Sequence, residues 1–374
     1  MLRTTNSNSN TAAASRPMVT GPGMRTIGAF AGALMATTVF ADPAHAETVR
    51  EDLTVASEPG IDLFVRRVTD TDASKNRGPV LLLHGARVGG LGSFDIDVEN
   101  LSLAEALASE GHAVYVADLR GYGRSSFPPA MDGERFAVPP AVPTSEAVAD
   151  VKAVLDEIKR RHPDAEIGAL GWATGSHWLA ATEAAHSGSI DRLVFYNSVY
   201  GSDGDWRLTA NFAVEGEPAT FDYEKFGAYR TSDAESLTGG WTDAPGVTQA
   251  VIDRYVELAM EGDPTATDRD PPSFRHPSGP IADTLKAVND APLYDAGAIR
   301  SNVLLLRSGD DFWSRPVDYA TMKVDLTGAA AVTERELPGA SHYVHLEPGE
   351  GRDRFLSVVT DFLADGTLDM TAGQ

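Results

Sequence analysis

Short apolar segments alternate with helical patterns along most of the chain. Continuous apolar runs of this length are typical of strands that are buried on both faces of a parallel sheet. They are PVLLLHG (79–85), AVYVADL (113–119), EIGALGW (166–172), DRLVFYN (191–197) and NVLLLRS (302–308). Between the second and third runs, valine, leucine and isoleucine recur at helical spacing over 148–158, before Pro163. The alternation predicts an α/β fold: a mostly parallel sheet with helices on both faces.

The pattern changes at two places. Residues 48–56 and 61–68 flank a Glu-Pro-Gly turn and predict an antiparallel hairpin at the sheet edge. Residues 200–298 are rich in glycine, proline, aspartate and aromatic residues, and no strand pattern holds there. Because so long a structureless loop is uncommon in a compact domain, we expect an inserted, partly helical cap, with 251–260 as its clearest helix. The core would then comprise 47–199 and 299–374, with a last strand around 332–337.

The N-terminus has the pattern of an export signal. Arg25 precedes an apolar run from Ile27 to Phe40, and Ala44-His45-Ala46 forms a small-x-small cleavage site. The run is too short for a permanent membrane anchor. We therefore predict a disordered leader (1–23), a signal peptide (24–46) cleaved after Ala46, and a secreted or periplasmic protein.

Charge and composition narrow the classes of function. The chain of 374 residues has a formal net charge of −23 and no cysteine. Such an acidic protein would be repelled by nucleic acids and anionic membranes, and the absence of cysteine excludes disulfides and thiol catalysis. Asp95 and Asp97 suggest calcium, but Asn100 and Ala106 break the EF-hand pattern. No zinc spacing occurs, so we predict a small-molecule substrate and neither metal nor cofactor; the sequence leaves the oligomeric state open.

Polar and glycine-rich segments follow the predicted strands. Because ligands bind at the carboxyl ends of the strands in open α/β sheets, we expect these segments to meet. They are His84-Gly85-Ala86-Arg87, the segment from Asp118 through Arg120 to Ser125, Gly171-Trp172-Ala173-Thr174-Gly175, Asp310-Asp311-Phe312-Trp313, and Gly339 through His342 to His345.

These five segments, in this order, resemble the α/β-hydrolase superfamily, and the resemblance spans nearly all of the chain after residue 46. The family order of nucleophile, acid and histidine implies Ala173, Asp311 and His342 in those positions. Asp310 remains an alternative for the acid. The resemblance also implies an oxyanion hole formed by the N–H groups of Ala86 and Thr174, whereas Asp118 and Arg120 are interpreted as structural.

Alanine at the nucleophile position has no lone pair and cannot attack a substrate. Four interpretations are open: an engineered replacement of serine, a non-catalytic ligand-binding relative, catalysis without a covalent step, or attack by Thr174 or Ser176. The last is the weakest, because neither residue occupies the apex of the turn. We favour a hydrolase of an ester, lactone or similar small molecule, with His342 as general base oriented by Asp311. The other possibilities are a ligand-binding relative and a cofactor-free lyase or oxygenase that uses His342 as base.

A largely apolar substrate pocket is expected beneath the cap. Arg87, Trp172 and Trp313 are candidates for its wall, and Arg87 would pair with a substrate carboxylate unless it lies at the surface. His177 and His345 are interpreted as structural. The cap aromatics expected to close the pocket are Trp206, Phe221, Tyr223, Phe226, Tyr229 and Trp241.

A dinucleotide-binding protein is the competing interpretation. The glycines after the first buried strand, Asp118 after the next, and the Y-x-x-x-K spacing of Tyr319 and Lys323 favour it. However, the glycine loop lacks the G-x-G-x-x-G spacing, and the tyrosine–lysine pair comes too late in the chain.

Overall fold

The computed structural model describes residues 48–98, 100–201, 205–239, 241, 246–289 and 292–368. The predicted leader and signal peptide lie outside these residues. The strands are β1 (Thr48–Glu58), β2 (Ile61–Asp70), β3 (Val80–Leu83), β4 (Val114–Ala117), β5 (Gly168–Trp172), β6 (Arg192–Tyr196), β7 (Ala213–Val214), β8 (Glu217–Phe221), β9 (Tyr229–Ser232), β10 (Phe274–Pro277), β11 (Asn302–Ser308) and β12 (Ala331–Leu337).

The helices are α1 (Gly90–Phe94), α2 (Leu103–Ser109), α3 (Pro129–Asp132), α4 (Thr144–Arg161), α5 (Thr174–Ala185), α6 (Thr209–Phe212), α7 (Tyr223–Phe226), α8 (Ala234–Thr238), α9 (Gln249–Glu261), α10 (Gly279–Asn289), α11 (Pro316–Asp325) and α12 (Glu350–Asp365). Among the described residues, no helix combines the length and apolar character that crossing a membrane requires.

An eight-stranded sheet forms the centre, in the order β1-β2-β4-β3-β5-β6-β11-β12. The strands from β4 to β12 in this order run parallel, whereas β1 and β2 form an antiparallel hairpin at the edge. Every residue of β3, β4 and β5 is buried, as the continuous apolar runs predict. The mostly parallel sheet of the sequence prediction is confirmed.

The strand order reverses at β3. The chain leaves β3 for β4 on one side, and then crosses over to β5 on the other side. Right-handed crossovers in opposite directions place the helices after β3 and those after β4 on opposite faces of the sheet. Helix α2 contacts α12, and α4 contacts α5, as two such layers require. The reversal opens a crevice beyond the carboxyl ends of β3 and β5, where α/β proteins bind their ligands.

The described residues between β6 and β11 add no strand to the central sheet. The predicted helix at 251–260 is present as α9, and the segment also contains short strands, although its sequence shows no strand pattern. Two short antiparallel ribbons, β7–β8 and β9–β10, lie in this segment. Their strands are two to five residues long, too short for hydrophobic periodicity to reveal. Trp241 and Tyr255 of this segment pack in one buried cluster with Val88 and Leu346, which lie beside the crevice.

Candidate active site

The turn between β5 and α5 holds Ala173 in a strained conformation. Its backbone angles are φ 51° and ψ −114°, a region that costs a residue other than glycine about 1–3 kcal/mol. The Ala173 N–H donates to the carbonyl oxygen of Tyr196 at 2.8 Å. The turn therefore keeps the sharp strand-to-helix geometry that exposes one side chain at its apex, although that side chain is a methyl group.

The flanking glycines make the sharp turn possible. A Cβ atom on Gly171 would lie 2.3 Å from the backbone nitrogen of Ser176, and one on Gly175 would lie 2.2 Å from the carbonyl oxygen of Leu83. Both obstacles are backbone atoms in the middle of the fold, so neither can move aside at low cost.

Gly175→Ala is expected to lower the free energy of unfolding by about 3 kcal/mol, at the upper end of overpacking effects. The added methyl group must displace the backbone of central strand β3. Urea unfolding followed by tryptophan fluorescence measures the change. Gly133→Ala is the control, because the nearest atom to its Cβ is 3.9 Å away; it should stay within about 0.5 kcal/mol of wild type. Equal stability of the two variants would contradict this account of the turn.

His342 and Asp311 form a hydrogen-bonded pair behind the turn. His342 Nδ1 lies 2.6 Å from Asp311 Oδ1. The carboxylate of Asp311 also accepts hydrogen bonds from the N–H groups of Trp313 at 3.0 Å and Ser314 at 2.7 Å and from the Ser314 hydroxyl. Burial acts to raise the pKa of Asp311, but the charge of His342 and these hydrogen bonds together lower it. Asp310, the alternative acid, has an exposed side chain.

Aromatic residues hold the His342 ring in place. Its ring centroid lies 5.0 Å from Trp172, 4.6 Å from Phe312 and 5.1 Å from Tyr343. With Nδ1–H donated to Asp311, the lone pair is on Nε2, and His342 lines the cavity at the crevice. Its Nε2 atom makes no hydrogen bond to any described residue, so the ring is free to take a proton from a molecule in the cavity.

Two backbone N–H groups at the turn and at the neighbouring loop have no acceptor among the described residues. Neither the Ala86 N–H nor the Thr174 N–H donates a hydrogen bond to a described residue, and both residues line the same cavity. The loop after β3 comes close to the turn: a Cβ atom on Gly85 would lie 3.7 Å from Ala173 Cβ. The structure thus brings together Ala173, His342, Ala86 and Thr174, with Asp311 behind His342. Their catalytic roles stay predictions.

The neighbouring hydroxyl groups are poorly placed for attack. Ser176 is fully buried, and its Oγ donates to the carbonyl oxygen of Gly171 at 2.5 Å. Thr174 lines the cavity, but its buried Oγ1 has no hydrogen-bond partner among the described residues, so no described base activates it.

Other residues of the sequence motifs support the loops. His84 Nε2 accepts from the Leu119 N–H at 3.2 Å, and its Nδ1 donates to the Gly85 carbonyl at 2.7 Å. Burial lowers the pKa of His84 to about 4, so the ring is neutral at pH 7. The carboxylate of Asp118 accepts from the N–H groups of Gly90 and Arg124 at 2.6 and 2.9 Å. These contacts support the structural interpretation of Asp118.

Two predicted structural histidines and the Tyr319–Lys323 pair lie away from the cavity wall. His177 Nε2 bonds to the Val199 carbonyl at 2.8 Å, and His345 Nδ1 lies 3.2 Å from the Tyr196 hydroxyl. The hydroxyl of Tyr319 is buried and donates to the Leu306 carbonyl at 2.8 Å, while Lys323 pairs with an exposed glutamate. Tyr319 thus serves packing rather than a dinucleotide.

The cavity has a volume of about 380 Å³ and includes Arg87, Trp172 and Trp313, as predicted. Of the six inserted aromatics expected to close it, only Phe226 lies in its wall; the remaining apolar wall of the inserted segment comes from Leu208, Phe212, Tyr255 and Ile281. Trp206 instead packs against Trp313 with ring centroids 5.0 Å apart. The sequence reveals which residues are aromatic, but only tertiary packing decides which side of the segment faces the cavity.

Most of the cavity wall is apolar, as expected, but the wall also carries positive charge that was not expected. Arg135, Arg230 and His276 join Arg87 in the cavity wall. Sequence reasoning missed all three, because Arg230 and His276 belong to the short ribbon β9–β10 and Arg135 to a loop. Their short segments, YRTS and FRHP, have neither apolar flanks nor a periodic pattern that would reveal them.

A family model for the alpha/beta hydrolase fold matches residues 78–348. The chain belongs to the α/β-hydrolase fold family. Among solved structures, the thioesterase domain from the curacin biosynthetic pathway is 17% identical with a TM-score of 0.56, covering 83% of this chain and 99% of its own. An esterase from Rhodococcus sp. ECU1013 is 19% identical with a TM-score of 0.53, covering 84% and 99%.

The enol-lactonase from Burkholderia xenovorans LB400 is 21% identical with a TM-score of 0.50, covering 83% of this chain and 100% of its own. At these identities the likeness shows the fold alone. No curated protein matches the chain.

Proposed function

We propose that this α/β-hydrolase-fold protein hydrolyses a small ester or lactone without a covalent intermediate. The observation that carries the proposal is the 2.6 Å pair of His342 and Asp311 in the wall of the cavity that Ala173 and the free N–H groups also line. Base, orienting carboxylate and oxyanion donors thus share one site. The names of the similar structures, a thioesterase, an esterase and an enol-lactonase, support an acyl substrate.

In the proposed reaction, water replaces the serine hydroxyl. Because Ala173 lacks an Oγ atom, a water molecule has room at the apex of the turn beside His342. Its oxygen attacks the carbonyl carbon while His342 Nε2 takes one of its protons. The N–H groups of Ala86 and Thr174 stabilise the negative oxygen of the tetrahedral intermediate. Collapse of this intermediate breaks the bond to the leaving oxygen, which takes the proton back from His342, and a carboxylic acid and an alcohol result.

Asp311 acts as a positioning residue in this scheme. Its carboxylate fixes the tautomer of His342 and stabilises the imidazolium that forms when Nε2 takes the proton. The hydrogen bonds from Trp313 and Ser314 hold the carboxylate itself in place. The lowered pKa of Asp311 means that it stays ionised below the usual pH range of an aspartate.

The test compares wild type with Ala173→Ser on 4-nitrophenyl acetate. We expect wild type to accelerate hydrolysis by more than about 10³–10⁴-fold over the buffer reaction, because the oxyanion hole and binding supply about that much without the nucleophile and the base His342 adds its own contribution. Its time course should be linear, because no acyl-enzyme accumulates. Ala173→Ser should add a burst of 4-nitrophenolate, the kinetic sign of an acyl-enzyme.

The exposed residue Ala185, at the end of α5, provides the control: Ala185→Ser should behave as wild type. A wild type that is no faster than buffer, beside an active Ala173→Ser, would overturn the proposal. The protein would then be a ligand-binding relative. This is the second candidate function, and the methyl group at the apex of the turn favours it.

A further inference from the structure

Three arginines and no carboxylate line the described part of the cavity wall. Arg87, Arg135 and Arg230 come from three different elements or loops, and none forms a salt bridge with a described residue. The chain as a whole has a formal net charge of −23. The cavity therefore carries the opposite charge to the protein as a whole. A cavity whose wall has charge of one sign attracts ions of the other sign, here anions.

Arg230 is the residue with the fewest partners. Its Nε atom is buried without a hydrogen-bond partner, and its two terminal nitrogens donate no hydrogen bond to any described residue. The guanidinium does contact an aromatic ring: its Cζ atom lies 5.4 Å from the ring centroid of Phe212. Burial and the nearby positive charge of Arg87 and Arg135 lower the pKa of Arg230 to about 10. The group is therefore still charged at pH 7, although its surroundings disfavour the charge.

The residues around Arg230 do not neutralise it. Its partner across the β9–β10 ribbon is His276, whose Nδ1 is also buried without a partner among the described residues. Burial and the same arginines lower the pKa of His276 well below its usual value. Ser232 Oγ lies 2.9 Å from His276 Nε2 and accepts from Arg87 Nε at 3.1 Å. Apart from the positively charged Arg87, this network contains only neutral groups, so it supplies no negative charge to Arg230.

The other two arginines are held at the cavity by carbonyl and hydroxyl groups. Arg87 Nη2 donates to the Ser236 carbonyl at 2.6 Å, and Arg135 Nε donates to the Phe226 carbonyl at 2.8 Å. Asp233 interacts with Arg87 at longer range, without an ion pair between them. Each guanidinium has five N–H donors, and these contacts leave most of them free.

From this arrangement we infer that the cavity takes a small molecule with a carboxylate group, which pairs with Arg230 and is flanked by Arg87 and Arg135. Guanidinium groups match the planar, bidentate geometry of carboxylates, and the apolar wall of Leu208, Phe212 and Ile281 fits a short hydrocarbon body. The inference rests on the proposed function, which places the substrate in this cavity. It adds that the ester or lactone also carries a carboxylate group.

Binding of three unreactive probes tests the inference independently of hydrolysis. Benzoate and nitrobenzene have nearly the same shape and differ in charge, and phenyl phosphate carries a tetrahedral anion on the same ring. Isothermal titration of the full chain should show benzoate binding at least about tenfold more tightly than nitrobenzene, as a charge-assisted pair requires. Phenyl phosphate should bind more weakly than benzoate.

Arg230→Gln should remove at least about tenfold of the benzoate affinity and leave nitrobenzene binding within about twofold. Arg354→Gln is the matched control, and this variant should bind benzoate as wild type does. Arg354 is half exposed on α12, and its ion pair with Glu350 is long, at 4.0 Å. Arg135→Gln, at the margin of the cavity, provides a second variant if Arg230→Gln does not fold. It should weaken benzoate binding in the same direction.

Three results would overturn the inference: equal affinity of wild type for benzoate and nitrobenzene, tighter binding of phenyl phosphate, or unchanged benzoate affinity in both arginine variants. Failure of the proposed hydrolysis gives a different result. In that case, benzoate selectivity and its loss in Arg230→Gln persist, while wild type does not hydrolyse 4-nitrophenyl acetate.

Discussion

His342→Ala should lower kcat/KM for 4-nitrophenyl acetate by about 10²–10⁴-fold, the usual contribution of a general base. The variant loses the nitrogen that takes the proton from water, while the Ala86 and Thr174 N–H groups remain. The loss should appear mainly in kcat, because the imidazole acts in the transition state rather than in substrate binding. Initial rates over a range of ester concentrations separate the two constants.

The matched control is His186→Ala, since His186 is exposed just after α5 and should leave both constants unchanged. Circular dichroism and thermal unfolding check that His342→Ala keeps the fold, because His342 packs among Trp172, Phe312 and Tyr343. A folded His342→Ala variant with activity within about twofold of wild type would exclude His342 as the base.

Asp150→Ala should lower the free energy of unfolding by about 3–5 kcal/mol, the typical effect of removing one partner of a buried ion pair. Asp150 is fully buried on α4. Its carboxylate accepts from Arg120 Nη2 at 2.6 Å, from the Arg120 N–H at 3.1 Å and from the Ser57 hydroxyl at 2.6 Å. Without it, the buried guanidinium keeps Glu58 and Glu146 as its charged partners among the described residues.

Asp156→Ala is the control on the same helix. Asp156 is exposed and paired with Lys152 one turn away, and such a surface pair contributes at most about 1 kcal/mol. Urea unfolding of the three proteins, followed by tryptophan fluorescence, compares the effects directly. If the two variants were equally stable, the contact between Arg120 and Asp150 would be dispensable and the structural role assigned to Arg120 would be incorrect.

The strands and the site segments were predictable because their signals are local. The apolar runs from 79 to 85 and from 302 to 308 are long enough to identify buried strands. Parallel strands present their carboxyl ends at one edge, so the segments that follow them must meet. The choice between Asp310 and Asp311 needed the structure, since adjacent residues on a loop point in different directions; Asp311 faces His342 and Asp310 faces solvent.

The inserted segment shows where local signals end. Its helix α9 has a clear amphipathic pattern, whereas each strand of the ribbon β9–β10 is only four residues long. That ribbon places Arg230 and His276 side by side and turns both toward the cavity. The sequence therefore indicates the apolar part of the pocket but not the charge in its wall.

The sequence by itself determined the α/β fold, the sharp turn around Ala173 and the positions of its candidate partners, because each depends on residues close together in the chain or on the fixed order of parallel strands. Only the tertiary structure decided the charge of the cavity wall. Arg87, Arg135 and Arg230 are far apart in sequence and come to line the same cavity when the chain folds. Charge effects between such residues depend on distance in space and on burial, and neither quantity is present in the sequence.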